Sequence, residues 1–365
     1  MPREDVTFNS DGLKLVGHLY IPDNVKPPYP CIVMGGGWCY VKELIQPEYA
    51  QFLADAGYAA LSFDYRNLGE SEGEIRQHIN PWEQIDDLIN AVTYVCERGD
   101  IDDNRIGIWG ISYAGGHVFP VAALDPRIRI IMSVVPMLDG WYNALRANSN
   151  VGLRELWDIV AKDRVERFKT GKHGTIAHSA HPHEKASVWP APETWPVFKK
   201  FKETVAPNHE HWTTVQSFEY AIRYDVTPYM KRIIHQPTLM VTSWYDDITM
   251  TEFEVPAFQT IPSPRKELLQ VGGDASHMSL YDNLDHLINR DVGSLSDGQK
   301  KCISLHRLNY NKYEFWFLDE PFVYLDEVNT NSLIEKINRF NENMGIVILT
   351  SNINLPKNFH KEINI

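Results

Sequence analysis

The chain has 365 residues, of which 43% are hydrophobic, and a formal net charge of −13. This is enough chain to bury one large core, or one large core and a smaller one. The acidic balance argues against non-specific nucleic-acid binding, which requires basic patches. The sequence contains no apolar run of about 18 residues that would span a membrane. Its four scattered cysteines, without a CxxC pair, favour a reduced, cytoplasmic location.

Predicted strands and helices alternate over most of the first 285 residues. A hairpin is expected at residues 6–22, where two β-rich runs flank Asp11-Gly12, a strong turn signal. Further strands are predicted at 31–36, 59–66, 105–110, 128–136, 237–244 and 266–273, and helices at 48–58 and 81–99. This order indicates a mostly parallel sheet wound with helices.

The alternation lapses between about residues 138 and 235. This stretch is rich in Trp, His and Pro, and it contains a predicted helix at 153–168. It is too long for a plain loop. We interpret it as a helical lid inserted over the carboxyl edge of the sheet, where ligands bind in such folds.

Ser112 lies in the segment WGISYAGG (109–116), whose small residues predict a sharp turn between a strand and a helix. A nucleophilic serine is held in such a strained elbow, which requires small neighbours. The common form of the motif has glycine where this chain has Ala114, and alanine is small enough to serve. The pattern therefore predicts that Ser112 is a nucleophile.

A serine hydroxyl needs a base to take its proton, and an acid must hold that base in the right tautomer. Behind an elbow of this kind the partners follow in the chain order serine, acid, histidine. Asp246 and Asp247 come after the strand predicted at 237–244, and His277 comes after the last predicted strand. His277 is therefore the expected base, and either aspartate qualifies as the acid.

Acyl chemistry also needs donors for the negative charge that develops on the carbonyl oxygen. One candidate is the backbone N–H of Tyr113, the residue after the nucleophile. The other is expected from the loop at residues 33–43, because its glycines let the backbone approach a ligand closely.

These segments, together with DYRNLGESEG (64–73) and GGDASHMSLY (272–281), resemble the α/β-hydrolase superfamily over about residues 3–283. The similarity is to dienelactone-hydrolase-like members and to polyketide acyltransferases or thiohydrolases. It implies an α/β-hydrolase fold acting on a small-molecule ester, thioester or lactone. It also implies that no metal or organic cofactor takes part.

The resemblance further implies a triad of Ser112, His277 and Asp246. Asp246 falls where the family pattern PTLxxxGxxD places its acid, and Asp247 remains the alternative. Related members usually have HGFGG where this chain has GGWCY (36–40). Aligned on that pattern, Trp38 would supply the second oxyanion donor through its backbone N–H.

Two departures from the family pattern affect the expected substrate. The family histidine is replaced by Gly36, and the indole of Trp38 is expected to crowd the acyl site. Dienelactone hydrolases have cysteine at the elbow, where this chain has Ser112, which weakens dienelactone as the substrate.

The lid is expected to set specificity through its aromatic side chains. These are Trp141, Tyr142, Trp157, Trp189, Trp195 and Trp212. Trp141, Tyr142 and Gly37 of the glycine loop are assigned to the substrate pocket. The histidines at 173 and within 178–184 match no zinc-binding spacing, so no metal site is predicted.

The composition changes after about residue 285, and four later segments resemble the motifs of an ABC ATPase. They are LSDGQKK (295–301), FWFLDEP (315–321), YLDE (324–327) and VILTSN (347–352). The similarity is to the ATP-binding subunit of a haem exporter of cytochrome c biogenesis. It implies signature residues Ser296, Gly298 and Gln299, with Asp319 directed to Mg²⁺ and Glu320 to a water.

This second resemblance is incomplete. The sequence contains no G-x-x-x-x-G-K-[ST], so no backbone cradle for the phosphates is expected. The usual switch histidine is Asn352. We therefore expect residues 286–365 to form a partial P-loop-like α/β segment without ATPase activity of its own, whether a natural fusion, an artificial chimera or a gene-model artefact.

Three functions remain open from the sequence. The favoured one is a serine hydrolase or acyltransferase, and the alternatives are an ATP-binding transporter component and a catalytically silent hydrolase fold that binds a ligand. The sequence does not distinguish water from another acyl acceptor. It also leaves the oligomeric state open, a homodimer among the alternatives.

Overall fold

The computed structural model describes residues 3–180, 186–281, 315–319 and 346–350. The chain separates into two compact units, residues 1–287 and 288–365. Within the described ranges, no helix is long and apolar enough to cross a membrane.

The first unit is built from strands and helices that alternate along most of its length. Its strands are β1 (Arg3–Ser10), β2 (Leu13–Tyr20), β3 (Tyr29–Gly35), β4 (Ala59–Phe63), β5 (Ile101–Ile111), β6 (Ile128–Val134), β7 (Thr175–Ser179), β8 (Ser187–Trp189), β9 (Trp212–Thr214), β10 (Thr238–Tyr245) and β11 (Lys266–Ser276). Its helices are α1 (Gln46–Asp55), α2 (Pro81–Cys96), α3 (Tyr113–Leu124), α4 (Gly140–Thr170), α5 (Thr194–Thr204), α6 (Val215–Ile222), α7 (Thr227–Met230) and α8 (Thr251–Gln259).

The main sheet has the spatial order β1-β2-β4-β3-β5-β6-β10-β11. β2 pairs antiparallel with β1 and β4, and the other neighbouring strands are parallel. All five residues of β4 are buried, as expected for a parallel strand covered on both faces. The predicted α/β-hydrolase-like architecture is confirmed for this unit.

The predicted N-terminal hairpin is also confirmed. β1 and β2 pair in register from Arg3 with Tyr20 to Ser10 with Leu13. Asp11 and Gly12 at the turn have φ angles of 51° and 91°. Two successive positive φ angles are typical of the turn that matches the twist of a two-residue hairpin.

The segment from α4 to α7 (residues 140–230), here called the insertion, separates β6 from β10. It contains helices, as expected, but also a small sheet in the order β8-β7-β9. The sequence analysis missed this sheet because its strands have only five, three and three residues. Strands this short carry too few alternating positions for a periodicity signal.

The carboxyl ends of the parallel strands bring distant residues together. β3 and β5 are paired up to Gly35 and Gly110, so the loop after β3 and the turn after β5 begin side by side. The register of β10 and β11 pairs Tyr245 with Ser276. Asp246 and His277, which directly follow these two residues, therefore lie close together at the edge of the sheet.

A buried ion pair holds the loop after β3. The ammonium of Lys42 lies 3.1 Å from Asp64 Oδ2, and the backbone N–H of Lys42 donates to Asp64 Oδ1 at 2.6 Å. The side chains of Lys42 and Asp64 are 1% and 0% exposed. Burial alone would lower the pKa of Lys42, but the charge of Asp64 and bonds to Glu43 and Glu70 raise it, so the lysine stays charged.

We expect Lys42→Met to lower the free energy of unfolding by about 3–5 kcal/mol, because the substitution leaves the Asp64 carboxylate buried without its cation. Urea unfolding followed by circular dichroism measures the change. The exposed Lys26 provides the control, since Lys26→Met should change stability by about 0.5 kcal/mol or less. Equal stability of the two variants would show that the ion pair does not support the loop.

Candidate active site

Ser112 lies in a strained turn between β5 and α3. Its φ and ψ angles are 56° and −117°, a conformation that residues other than glycine rarely adopt. Its backbone N–H donates to the carbonyl of Val134 at 2.8 Å, and its carbonyl accepts from the N–H of Met137 at 3.0 Å. These two bonds fix the turn against the segment that follows β6.

Small neighbours are required around this turn. A Cβ atom on Gly110 would lie 2.1 Å from the carbonyl oxygen of Ala114, and one on Gly116 would lie 2.0 Å from the carbonyl oxygen of Met137. Both contacts are with backbone, which cannot move aside as a flexible side chain can. The glycines that flank Ser112 in the sequence are therefore explained by close packing.

His277 connects Ser112 to an aspartate. It follows β11 directly, in a 3₁₀ turn spanning His277–Leu280, and is 1% exposed. Its Nε2 lies 3.1 Å from Ser112 Oγ, and its Nδ1 lies 2.8 Å from Asp246 Oδ2. With the Nδ1 proton donated to Asp246, the Nε2 lone pair faces the serine hydroxyl.

Asp246 is held by more than the imidazole. Its Oδ1 accepts the backbone N–H groups of Ile248 and Thr249, at 2.9 and 2.7 Å, and its Oδ2 accepts the Thr249 hydroxyl at 2.8 Å. Burial alone would raise the pKa of Asp246, but His277 and these hydrogen bonds outweigh burial and lower it. The carboxylate is therefore ionised where it contacts the histidine.

The neighbouring Asp247 has a different environment. Its side chain is exposed, and within the described part of the chain it makes no hydrogen bond to His277. The geometry therefore brings Asp246, and not the alternative Asp247, to the imidazole.

Glu254 of α8 is a second buried carboxyl near Asp246. It is 0% exposed, and burial followed by the charge of Asp246 raises its pKa well above the usual value. The environment of Glu254 therefore favours its protonated form, whereas that of Asp246 favours the carboxylate.

Tyr281 also contacts the imidazole. Its hydroxyl lies 2.9 Å from His277 Nε2, and the residue is 4% exposed. Burial raises the pKa of Tyr281 above its usual value, so the phenol keeps its proton. The hydroxyls of Ser112 and Tyr281 thus both face the single lone pair on Nε2.

Sequence reasoning missed Thr249 and Tyr281. Thr249 lies three residues after Asp246, and Tyr281 lies four residues after His277. Spacings of three and four residues bring side chains together in a tight turn and were the only signals in the sequence. Both spacings are too common to single out a residue without coordinates.

The two residues expected to donate to an oxyanion lie next to Ser112. Tyr113 is the first residue of α3, where a backbone N–H has no partner within the helix. The ring of Trp38 contacts that of Tyr113 edge to face, with centroids 5.0 Å apart. A Cβ on Gly37 would lie 3.1 Å from Ser112 Cβ, so the glycine loop approaches the serine as expected.

A narrow, largely aromatic cavity opens at Ser112. It is lined by Trp38, Tyr40, Ser112, Tyr113, Met137, His178, Trp189, Thr194, Phe198, Ile248, Thr249, His277, Met278 and Tyr281. The insertion contributes His178, Trp189, Thr194 and Phe198, so it forms one wall of the cavity.

Gly37, Trp141 and Tyr142, which the sequence analysis assigned to the pocket, are not among the residues that line this cavity. Trp141 is 47% exposed, and the ring of Tyr142 stacks on Phe253 of α8 with centroids 4.7 Å apart. Both belong to the first turn of α4, which begins after the capping residue Asp139. From that turn Tyr142 reaches α8 instead of the serine.

The ATPase-like residues can be located only in part. Asp319 is the last residue of a strand, β12 (Phe315–Asp319), which pairs in parallel with β13 (Ile346–Thr350). The other residues of this assignment, Ser296, Gly298, Gln299 and Glu320, lie outside the described residues.

Comparisons with known proteins match the first unit. The sequence pattern described as X-Pro dipeptidyl-peptidase (S15 family) matches residues 11–278. Thiohydrolase aneE of Aspergillus aculeatus is 29% identical over 285 residues, covering 74% of this chain and 84% of that protein. Polyketide transferase af380 of Aspergillus fumigatus is 28% identical over 281 residues, covering 77% and 92%.

A solved structure has the same fold. The crystal structure of the alpha/beta hydrolase GrgF from Penicillium sp. sh18 superimposes with a TM-score of 0.67 at 25% identity. The match covers 80% of this chain and 97% of that one.

Proposed function

The chain belongs to the X-Pro dipeptidyl-peptidase (S15) family of α/β-hydrolases, and from this premise we propose that it cleaves or transfers acyl groups through an acyl-enzyme on Ser112. The observation that carries the proposal is the position of His277, within hydrogen-bond distance of both Ser112 and Asp246. A nucleophile, a base and an orienting acid in this arrangement form the constellation that acyl transfer requires.

In the first half of the reaction, Ser112 Oγ forms a bond to the carbonyl carbon of the substrate as its proton passes to His277 Nε2. The carbonyl electron pair moves to oxygen, and the N–H groups of Tyr113 and Trp38 are assigned to stabilise that charge. When the carbonyl re-forms, the bond to the leaving group breaks, and the leaving group takes the proton from His277. The acyl group is then esterified to Ser112.

In the second half, an acceptor hydroxyl attacks the acyl-enzyme. His277 takes the proton of the acceptor, which is either water or an alcohol, and returns it to Ser112 Oγ as the ester bond breaks. The charge of Asp246 stabilises the imidazolium in both halves. The product is an acid when water attacks and an ester when an alcohol attacks.

The substrate class proposed is an ester, thioester or lactone with an apolar acyl group. The aromatic wall of Trp38, Trp189 and Phe198 supports an apolar substituent. The names of the two relatives, a thiohydrolase and a polyketide transferase, support thioester cleavage and acyl transfer.

The lining of the cavity gives less support to dipeptide release from a peptide. A free peptide N-terminus carries an ammonium group, which a buried site would have to pair with a carboxylate. Among the described residues that line the cavity, none is Asp or Glu. We therefore do not extend the peptidase activity in the family description to this chain.

For residues 286–365 we keep the partial ATPase-like domain as a separate proposal, next to a hydrolase domain of residues 1–285. Its support is the order of the sequence motifs. Because the phosphate-binding loop is missing from the sequence, the proposal includes no nucleotide hydrolysis by this segment.

A fluorophosphonate probe should label the wild-type chain at Ser112, because His277 makes this hydroxyl nucleophilic. Ser112→Ala should abolish labelling and the turnover of p-nitrophenyl esters. Ser149→Ala, at an exposed serine of α4, should leave both unchanged. An unlabelled, inactive wild type would instead support a silent ligand-binding fold.

Asp246→Asn should lower kcat by about 10⁴-fold, because an amide in place of the carboxylate selects the wrong tautomer of His277. Asp247→Asn is the matched control, with the same change one residue away on an exposed side chain, and it should retain nearly full activity. Steady-state kinetics with p-nitrophenyl esters makes the comparison. The reverse order of the two effects would reassign the acid.

Tyr281→Phe should lower kcat/KM by roughly tenfold or less, the effect of losing one hydrogen bond to the imidazole. Ser112 should still be labelled by the fluorophosphonate, because serine, histidine and aspartate all remain. Steady-state kinetics with p-nitrophenyl esters measures the change. An unchanged kcat/KM would limit Tyr281 to packing.

A further inference from the structure

Three histidines of the insertion lie close together beside the glycine loop. They are His178 of β7, and His209 and His211 in the segment that precedes β9. One ring nitrogen from each lies within 4.8 Å of the other two. His178 and His209 are closest, with their Nε2 atoms 3.1 Å apart.

The hydrogen bonds of His209 determine where its lone pair points. Its Nδ1 lies 3.0 Å from the carbonyl oxygen of Cys39, and only a protonated nitrogen can donate to a carbonyl. The proton is therefore on Nδ1, and the lone pair of His209 is on Nε2, facing His178. A donor bond to a backbone carbonyl through one nitrogen is how metal-binding histidines are usually oriented.

Both buried imidazoles are neutral. His178 and His209 are 1% and 0% exposed. Burial, reinforced by the neighbouring histidines, lowers the pKa of His178 well below its usual value and that of His209 to about 3. Without an ion, His178 Nε2 donates its proton to His209 Nε2. To bind a metal through Nε2, His178 has to carry its proton on Nδ1 instead, a buried nitrogen that has no hydrogen-bond partner among the described residues.

We propose that His178, His209 and His211 bind a divalent transition-metal ion of the zinc class. Nitrogen ligands at 2.0–2.1 Å around a tetrahedral zinc ion lie about 3.3–3.4 Å apart, close to the separation of the first two nitrogens. His211, whose ring contacts those of Trp195 and His209, would have to bring its nitrogen closer to complete the site. Water or a ligand group takes the fourth position.

The site is separate from Ser112, although His178 also lines the cavity. The histidine cluster is joined to the glycine loop by the hydrogen bond from His209 to the Cys39 carbonyl. Cys39 follows Trp38, the residue assigned to oxyanion binding, so this bond connects the insertion to that loop. A bound ion would therefore hold the wall of the cavity against that loop. The chemistry proposed for Ser112 does not depend on this site, and the metal site does not depend on that chemistry.

The test uses the full chain, stripped with a chelator and dialysed. Isothermal titration with Zn²⁺, and metal analysis after desalting, should give one tightly held ion per wild-type chain. His209→Asn and His211→Asn should each remove it, while His235→Asn, at an exposed histidine, should retain it. Circular dichroism checks that each variant is folded, and His211→Asn is the milder change because its side chain is half-buried.

Substitution with Co²⁺ gives a readout that needs no variant. The wild type should develop the visible bands of a four-coordinate nitrogen site, without the intense near-ultraviolet band of a cobalt–thiolate bond. No tight binding by the wild type would overturn the proposal and leave a hydrogen-bonded histidine cluster. A thiolate band, or binding unchanged in both His209→Asn and His211→Asn, would overturn it as well, because the ion would then lie elsewhere.

Discussion

One hydrogen bond, between the Ser112 hydroxyl and His277 Nε2, joins residues that are 165 positions apart in the chain. The parallel sheet makes this bond possible, because β5, β10 and β11 end at the same edge. Each strand delivers its polar side chain in the first residue after it ends. The strained turn at Ser112, the hydrogen bonds around Asp246 and the short 3₁₀ turn at His277 all hold that one contact in place.

The insertion forms part of the surroundings of this contact. Its residues His178, Trp189 and Phe198 complete a cavity whose opposite wall comes from the sheet edge. A polar serine thus lies at the bottom of an aromatic pocket, 8% exposed. Under the proposed function, such an environment would favour apolar acyl groups and would limit the water near the acyl-enzyme, which would help an alcohol to compete with water as acceptor.

The sequence predicted the sheet and the positions of Ser112 and His277 from local rules, whereas the preference for Asp246 over Asp247 came from the family pattern. Gly110 has no room for a side chain, and each of the three residues directly follows a strand of the sheet. No such local rule applies to the aromatic residues of the insertion. Trp141 and Tyr142 are residue types that often line pockets, but the direction of a side chain on α4 depends on packing against α8. The histidine cluster escaped detection because His178 and His209 are 31 residues apart and match no local spacing.

His277 follows the last residue of β11 without an intervening loop. The position of the imidazole is thereby coupled to an edge strand of the sheet, and a residue added or lost between Ser276 and His277 would turn the ring away from the serine. The insertion between β6 and β10 has no comparable constraint on its length, because it does not set the spacing between a strand and His277. Over evolutionary time, differences among relatives should therefore accumulate in the insertion, while the spacing between β11 and His277 stays fixed.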